Sequence, residues 1–557
     1  MMRSTRTSHL HLNGKSNSSQ SSGLSSFDKT LLYSAAFAIC FYLGVSMTTF
    51  SQLPSMPTLD DFILRPPGSK SSSKSKPSQQ MPRQLATDNA STIVPMESFP
   101  QTIKSSPLET IKHPAAEIIP SIDIPDLKVP SFYDPPQFSS YGGIRKFLNY
   151  GETLMTPQQA QSIGSKVNGL ETIFVAIASY RDFQCRQTVE SIFTRATHPE
   201  RIRVAVVDQI DVSVGDIPCS KAEYSCAENP NQVLCKYEKQ IDFFTMEAKY
   251  AMGPVFARHL GNRLYRGEYF AIQCDAHVDF VKDWDSSIIK QWKSAQNEMA
   301  VLSAYLSDVH GSMDEEGNLL RKTRPIMCKS DFEDHGVTRH LRHGQQPEGP
   351  SGIHGEPTLE PYWAAGFSFS RGHFIVNIPY DQHLPWVFQG EEISIGIRGF
   401  TYGYDYYTPE TSPCFHYYAS QDTTGKRGKV KLFWENAKKL DRAKISQVEK
   451  GGMKRLNSII HMNGPSVTAD SWIHIDEQKY GIGKVRTPEK FFETFGVHMD
   501  TFKVEDHLCR FVGKNMHRIW KQHLRKDGMG IDYDKITYKF QDPDIYGNTW
   551  QKLLPKK

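Results

Sequence analysis

The chain has 557 residues, too many for one ordinary domain and enough for a large catalytic domain with appendages. Its 65 basic and 61 acidic side chains leave a net charge of only +4. That balance argues against the basic surface that nucleic-acid binding requires, so no nucleic-acid partner is expected.

Residues 1–29 are polar and carry Arg3, Arg6, Lys15 and Lys29. Residues 31–50, LLYSAAFAICFYLGVSMTTF, hold no charge, and the next charged residue is Asp60. Roughly 20 such residues span a bilayer as a helix. Basic residues precede the run and none follow closely. This predicts a cytoplasmic tail over 1–29, a transmembrane anchor over 30–50, and a lumenal remainder. The long flank and the lack of a small-x-small site argue against a cleaved signal peptide.

Residues 51–168 are rich in Pro, Ser and Lys and predict a largely disordered stem. Asn89-Ala90-Ser91 is a glycosylation sequon, usable only in the lumen. Three of the nine cysteines, Cys219, Cys226 and Cys235, cluster without the spacing of a paired C-x-x-C zinc site. Disulfides are expected there in an oxidising lumen. Their connectivity is not legible.

Order is expected from residue 169, with a catalytic domain over 169–430 and a helical extension over 431–557. Ile173–Ala178 is a continuous apolar run of strand length, the mark of a strand buried on both faces. Residues 185–196 place Val189, Ile192 and Phe193 at helical spacing, and RIRVAVVDQ (201–209) reads as a second buried strand. Strand, helix and strand with short connections make a β-α-β unit of a parallel sheet. Ligands bind beyond the carboxyl ends of such strands. Ser179, Tyr180, Arg181 and Asp182 stand at one end and Asp208 at the next, which makes them candidates for donor binding. Loop-capping polar residues are the competing reading of each alone.

Residues 246–267 read as a helix with Phe256, Leu260 and Leu264 on one face and a true start at Gly253-Pro254. Then comes AIQCDAHVDF (271–280), a further strand running into Asp275-Ala276-His277. Alternate residues of an extended chain point the same way, so Asp275 and His277 can reach one point. A carboxylate and an imidazole suit Mn²⁺ or a similar divalent ion, which would neutralise a nucleotide diphosphate leaving group. A surface turn is the alternative.

Five stretches carry a family resemblance: FVAIASYRDFQCRQTVESIFTRATHPERIRVAVVDQ, AMGPVFARHLGNRLYRGEYFAIQCDAHVDFVKDWD, PYWAAGFSFSRGHF, LPWVFQGEEISIGIRGFTYGYDYYTP and YGIGKVRTPEKFFETFG. In this order they resemble glycosyltransferase family 60, the polypeptide α-N-acetylglucosaminyltransferases, over roughly residues 170–550. The resemblance implies a GT-A fold, with a mixed, mainly parallel α/β sheet. It also implies UDP-GlcNAc as donor, a divalent cation, and retention at the anomeric carbon. The D-x-H triplet looks like that of the mucin-type N-acetylgalactosaminyltransferases, where a distant histidine completes the site. His416 in CFHYY is the candidate here, with an ordinary packed histidine as the alternative.

Gly390-Glu391-Glu392 resembles the family's acidic motif near donor sugar and acceptor. A carboxylate there would stabilise the positive charge developing on the sugar, although Glu in a first helical turn is also favoured by the dipole. Both glutamates remain candidates. Trp363 is placed in the donor or acceptor cleft, with core packing as its competitor. Arg398, about two helical turns beyond Glu391, is placed against the pyrophosphate. Trp284-Asp285 is expected to pack beneath the metal site.

Cytosolic members of the family modify a hydroxyproline. The anchor and stem of this chain favour instead a Golgi type II enzyme acting on a hydroxyl of a protein or peptide. Two alternatives are carried: the same fold with another UDP-sugar such as UDP-GalNAc, and a catalytically dead carbohydrate-binding protein.

Overall fold

The computed structural model describes residues 116–118, 127–320, 325–335, 338–343, 356–437, 442–463, 468, 471–505 and 521–535. The expected anchor over 30–50 lies outside them. Among the described residues no helix is long and apolar enough to cross a membrane.

The first strands are β1 (Ile173–Tyr180), β2 (Ile202–Ile210), β3 (Ile241–Glu247) and β4 (Phe270–Asp275). A short β5 (Val278–Phe280) follows, then β6 (Ala300–Ser303). A hairpin of β7 (Ser330–His335) and β8 (Thr338–His343) comes next. The last are β9 (Thr358–Glu360), β10 (Phe367–Arg371), β11 (Asp405–Thr408) and β12 (Cys414–His416). Eight of these form one sheet in the order β9-β11-β6-β10-β4-β1-β2-β3. The pairs β3-β2, β2-β1, β1-β4 and β6-β11 are parallel; β10 and β9 run against their neighbours. The fold is thus mixed α/β with a mainly parallel sheet.

Every residue of β2 is buried, as its apolar run Val204–Val207 requires; Arg203, also buried, pairs with Glu268 and Asp242. Alternation sends its side chains into two layers. Ile202, Val204 and Val206 join the core that holds α1 (Cys185–Thr194) and α3 (Trp284–Ser294). Ala205 and Val207 join Phe256, Ala257 and Leu260 of α2 (Pro254–Asn262), together with Leu264, on the opposite face. Beneath α1, Trp284 donates its indole N–H to the Ile192 carbonyl at 3.0 Å, and Asp285 pairs with Arg201.

The expected stem extends too far. Val129, Phe138, Ile144, Leu148 and Ile163 are buried in the α2 layer. Arg263 donates to the Pro130 carbonyl and stacks over Phe132. A composition averaged over 51–168 hides these few apolar residues, which suffice to dock the segment. At the other end, α4 (Glu391–Thr401) is nearly all buried, α5 (Arg442–Ile459) follows, and α6 (Pro488–Phe495) packs Phe491 on Phe400. The extension beyond 431 also holds a short strand pair, Val497–His498 with Lys503–Val504, so it is not purely helical.

All three clustered cysteines are oxidised. Cys226 bonds Cys235 within the cluster, and Cys219 bonds Cys185 at the start of α1. The second link spans 34 residues and on the chain-entropy account is worth about 4 kcal/mol.

Candidate active site

Parallel pairing puts the strand ends on one edge. Ser179 stands opposite Asp208, and Ala178 opposite Asp275. Immediately after Asp275 the chain turns into β5, which pairs antiparallel with β12 and sets His416 opposite Val278. The Tyr417 N–H then donates to the His277 carbonyl at 3.0 Å. One ligand atom from each of Asp275, His277 and His416 therefore lies within 4.8 Å of the others. The His277 and His416 rings meet edge-on with centroids 4.4 Å apart.

The donor set fits a divalent ion. It offers a carboxylate and two imidazoles. Nδ1 of His416 is buried without a hydrogen-bond partner. Burial, with His277 and Arg427 nearby, pushes that imidazole well below its ordinary value, so it is neutral, the form that ligates. Nδ1 of His277 lies 2.8 Å from the buried Asp182 carboxylate, which leaves Nε2 for an ion. A carboxylate behind a ligating imidazole fixes its tautomer and raises its basicity. Asp182 is gripped in turn by Arg427 at 2.7 and 2.8 Å. Burial alone would raise its carboxyl, but His277 and Arg427 outweigh that and hold it down at about 2.

Arg258, on α2, ties the site together. It donates to Asp275 Oδ1 at 2.8 Å and to Glu391 Oε1 at 2.6 Å. Tyr380 donates to the same Glu391 oxygen at 2.6 Å. Glu391 is thus buried and turned inward. Burial raises its carboxyl, and Arg258 works against that rise. Glu392 points the other way and keeps 25 % of its side chain exposed. Burial pushes it up to about 7, against hydrogen bonds from Tyr305 and the Ala365 N–H. Gly366 stands against Asp275, next to the Ala365 that binds Glu392. Its carbonyl accepts the Asp275 N–H, and a Cβ there would sit 3.1 Å from Asp275 Oδ2.

The glycosyltransferase (GlcNAc) profile matches residues 172–231 and 214–501, together more than half of the chain. The chain belongs to the glycosyltransferase (GlcNAc) family. No curated protein matches it. Among solved structures, GalNAc-T7 with UDP, GalNAc and Mn²⁺ aligns at 14% identity and a TM-score of 0.32, over 52% of this chain and 53% of that one. S. aureus TarS aligns at 12% identity and a TM-score of 0.27, over 54% and 46%. The chain thus spans about half the length of each.

In this glycosyltransferase (GlcNAc) family member, three expected donor contacts have other surroundings. Trp363 is 2% exposed, stands near Tyr380 and Gly396, and lines a small cavity with Asn262, Gln273 and Tyr380. Arg398 is 1% exposed and donates to the carbonyls of Pro379 and Gly481. Arg398 lies on α4, a helix buried on nearly all sides, where helical spacing from Glu391 does not select an outward direction. Asp208 is buried and accepts the Cys219 N–H at 2.8 Å, so it anchors the disulfide loop. Ser179 beside it is also buried. Arg181 pairs with Asp216 and Glu435, and Tyr180 donates to Glu435, which brings both to the rim of the strand ends. Arg258, Arg427 and Tyr305 escape a sequence reading because each acts through partners far along the chain. The one local sign is Arg258-His259 within a helix whose other side chains are mostly apolar.

Proposed function

We propose that this chain is a retaining glycosyltransferase of GT-A type that moves α-GlcNAc from UDP-GlcNAc to a Thr, Ser or hydroxyproline hydroxyl of a protein acceptor. The convergence of Asp275, His277 and His416 at the sheet edge of a GlcNAc-family chain carries this reading. In the reaction the acceptor oxygen bonds the anomeric carbon and the bond from that carbon to the β-phosphate oxygen breaks. UDP leaves with the electron pair, and the hydroxyl proton is released. A bound divalent ion, with Mn²⁺ suited to this donor set, supplies positive charge to the departing diphosphate. Asp182 orients His277, Arg258 holds Asp275, and Glu392 offers a carboxylate to the cleft.

The test is metal-dependent turnover of a panel of UDP-sugars by the purified full-length protein. UDP-GlcNAc should be consumed fastest, and chelation should abolish the reaction. Faster turnover of UDP-GalNAc would reassign the donor. No turnover of any sugar would favour a carbohydrate-binding protein.

We also propose a single-pass type II Golgi membrane protein anchored by residues 30–50, with its catalytic domain in the lumen. The disulfides support this placement, because such bonds persist in oxidising compartments. On sealed microsomes, residues beyond about 55 should resist external protease. Digestion of the C-terminal domain from outside would overturn the topology.

A further inference from the structure

Glu392 is held by a cage from three separate elements. Its Oε1 accepts the Ala365 N–H at 2.9 Å, just ahead of β10. Its Oε2 accepts the hydroxyl of Tyr305, two residues beyond β6, and lies 3.3 Å from Nε2 of the buried His343 that ends β8, a contact that packs against the carboxylate without hydrogen-bond geometry. A carboxylate offers about four lone-pair positions, so these two hydrogen bonds leave about two open. A glutamate in a first helical turn needs no such cage, since the helix dipole alone favours it. The cage also stands next to the proposed ion site. Ala365, which binds Glu392, adjoins Gly366, which contacts Asp275.

We infer that Tyr305 and His343 are positioning residues that lock the Glu392 carboxylate toward the cleft, where it accepts a hydrogen bond from a hydroxyl of the donor sugar. This rests on the nucleotide-sugar transfer proposed above. The charged and titratable groups around Glu392 are Tyr305, His343, Tyr418, Arg258, Asp275 and Glu391. Burial pushes His343 down to about 3, so it stays neutral. A neutral imidazole 3.3 Å from the carboxylate adds no charge and confines its rotation. The Tyr305 hydroxyl stabilises the ionised form of Glu392. Its loss therefore raises the carboxyl further, and the acidic limb of the kcat profile moves to higher pH.

The experiment compares the full-length wild-type chain with Tyr305→Phe, His343→Leu and His343→Gln, using Mn²⁺ and UDP-GlcNAc. Tyr305→Phe and His343→Leu should each lower kcat about tenfold. Calorimetric affinity for Mn²⁺ and UDP should stay within about twofold of wild type. Tyr305→Phe should shift the acidic limb upward, and His343→Gln, which keeps a neutral polar side chain against the carboxylate, should recover most of the rate. Wild-type kcat and pH profile in Tyr305→Phe would overturn the inference while leaving the transfer reading intact. So would UDP affinity falling in step with kcat. An inactive wild-type chain would overturn the transfer reading and this inference with it. Should His343→Leu fail to fold, Tyr305→Phe, which removes a single oxygen, decides the matter alone.

Discussion

Asp275→Asn is expected to weaken Mn²⁺-dependent UDP binding and to slow transfer by about two orders of magnitude or more, the scale of losing a charge-stabilising group. Asn keeps the volume and removes the charge, and its oxygen still accepts from Arg258. Arg258 also keeps Glu391 as its ionic partner. The site lies at a strand end, outside the packed core, so the fold should persist. Calorimetry with Mn²⁺ and UDP on both proteins checks the effect. Unchanged Mn²⁺-dependent UDP affinity in the mutant would overturn the metal assignment. An unfolded mutant would make Asp275 a structural residue.

Arg258→Met should be the most destabilising single change at the site. It leaves Glu391 buried with only the Tyr380 hydroxyl, and stranding one partner of a buried ion pair costs about 3–5 kcal/mol. It also removes the hydrogen bond that orients Asp275. Adding Glu391→Gln removes the stranded charge and should recover much of the stability. Metal affinity should stay low in the double mutant, because Asp275 remains unheld. Denaturant midpoints and Mn²⁺ titrations of the full-length variants separate the two effects. Equal midpoints for wild type and Arg258→Met would show that Glu391 does not depend on this ion pair.

Local pattern by itself determined much of this protein. The apolar runs of β1 and β2, the helical spacing of Val189, Ile192 and Phe193, and the start of α2 at Pro254 are nearest-neighbour facts, because burial on both faces and a helical stripe each leave a periodic mark. The alternation that aims Asp275 and His277 together is equally local. Oxidation of the clustered cysteines was legible from their type and spacing, although the Cys185–Cys219 link was not. Only the tertiary structure decided the rest. His416 reaches the pair because β12 docks on β5, a long-range pairing that motif likeness suggests but periodicity does not encode. Glu391 and Glu392 are adjacent and chemically alike. Arg258 and Tyr380 turn one inward, while the other stays partly exposed beside Tyr305 and His343. Arg398 sits at a plausible helical spacing yet faces the core. Residues 127–168 dock through a few apolar side chains in a segment of polar composition. In each case the deciding partner lies far along the chain, and the direction of a side chain is set by what packs against it.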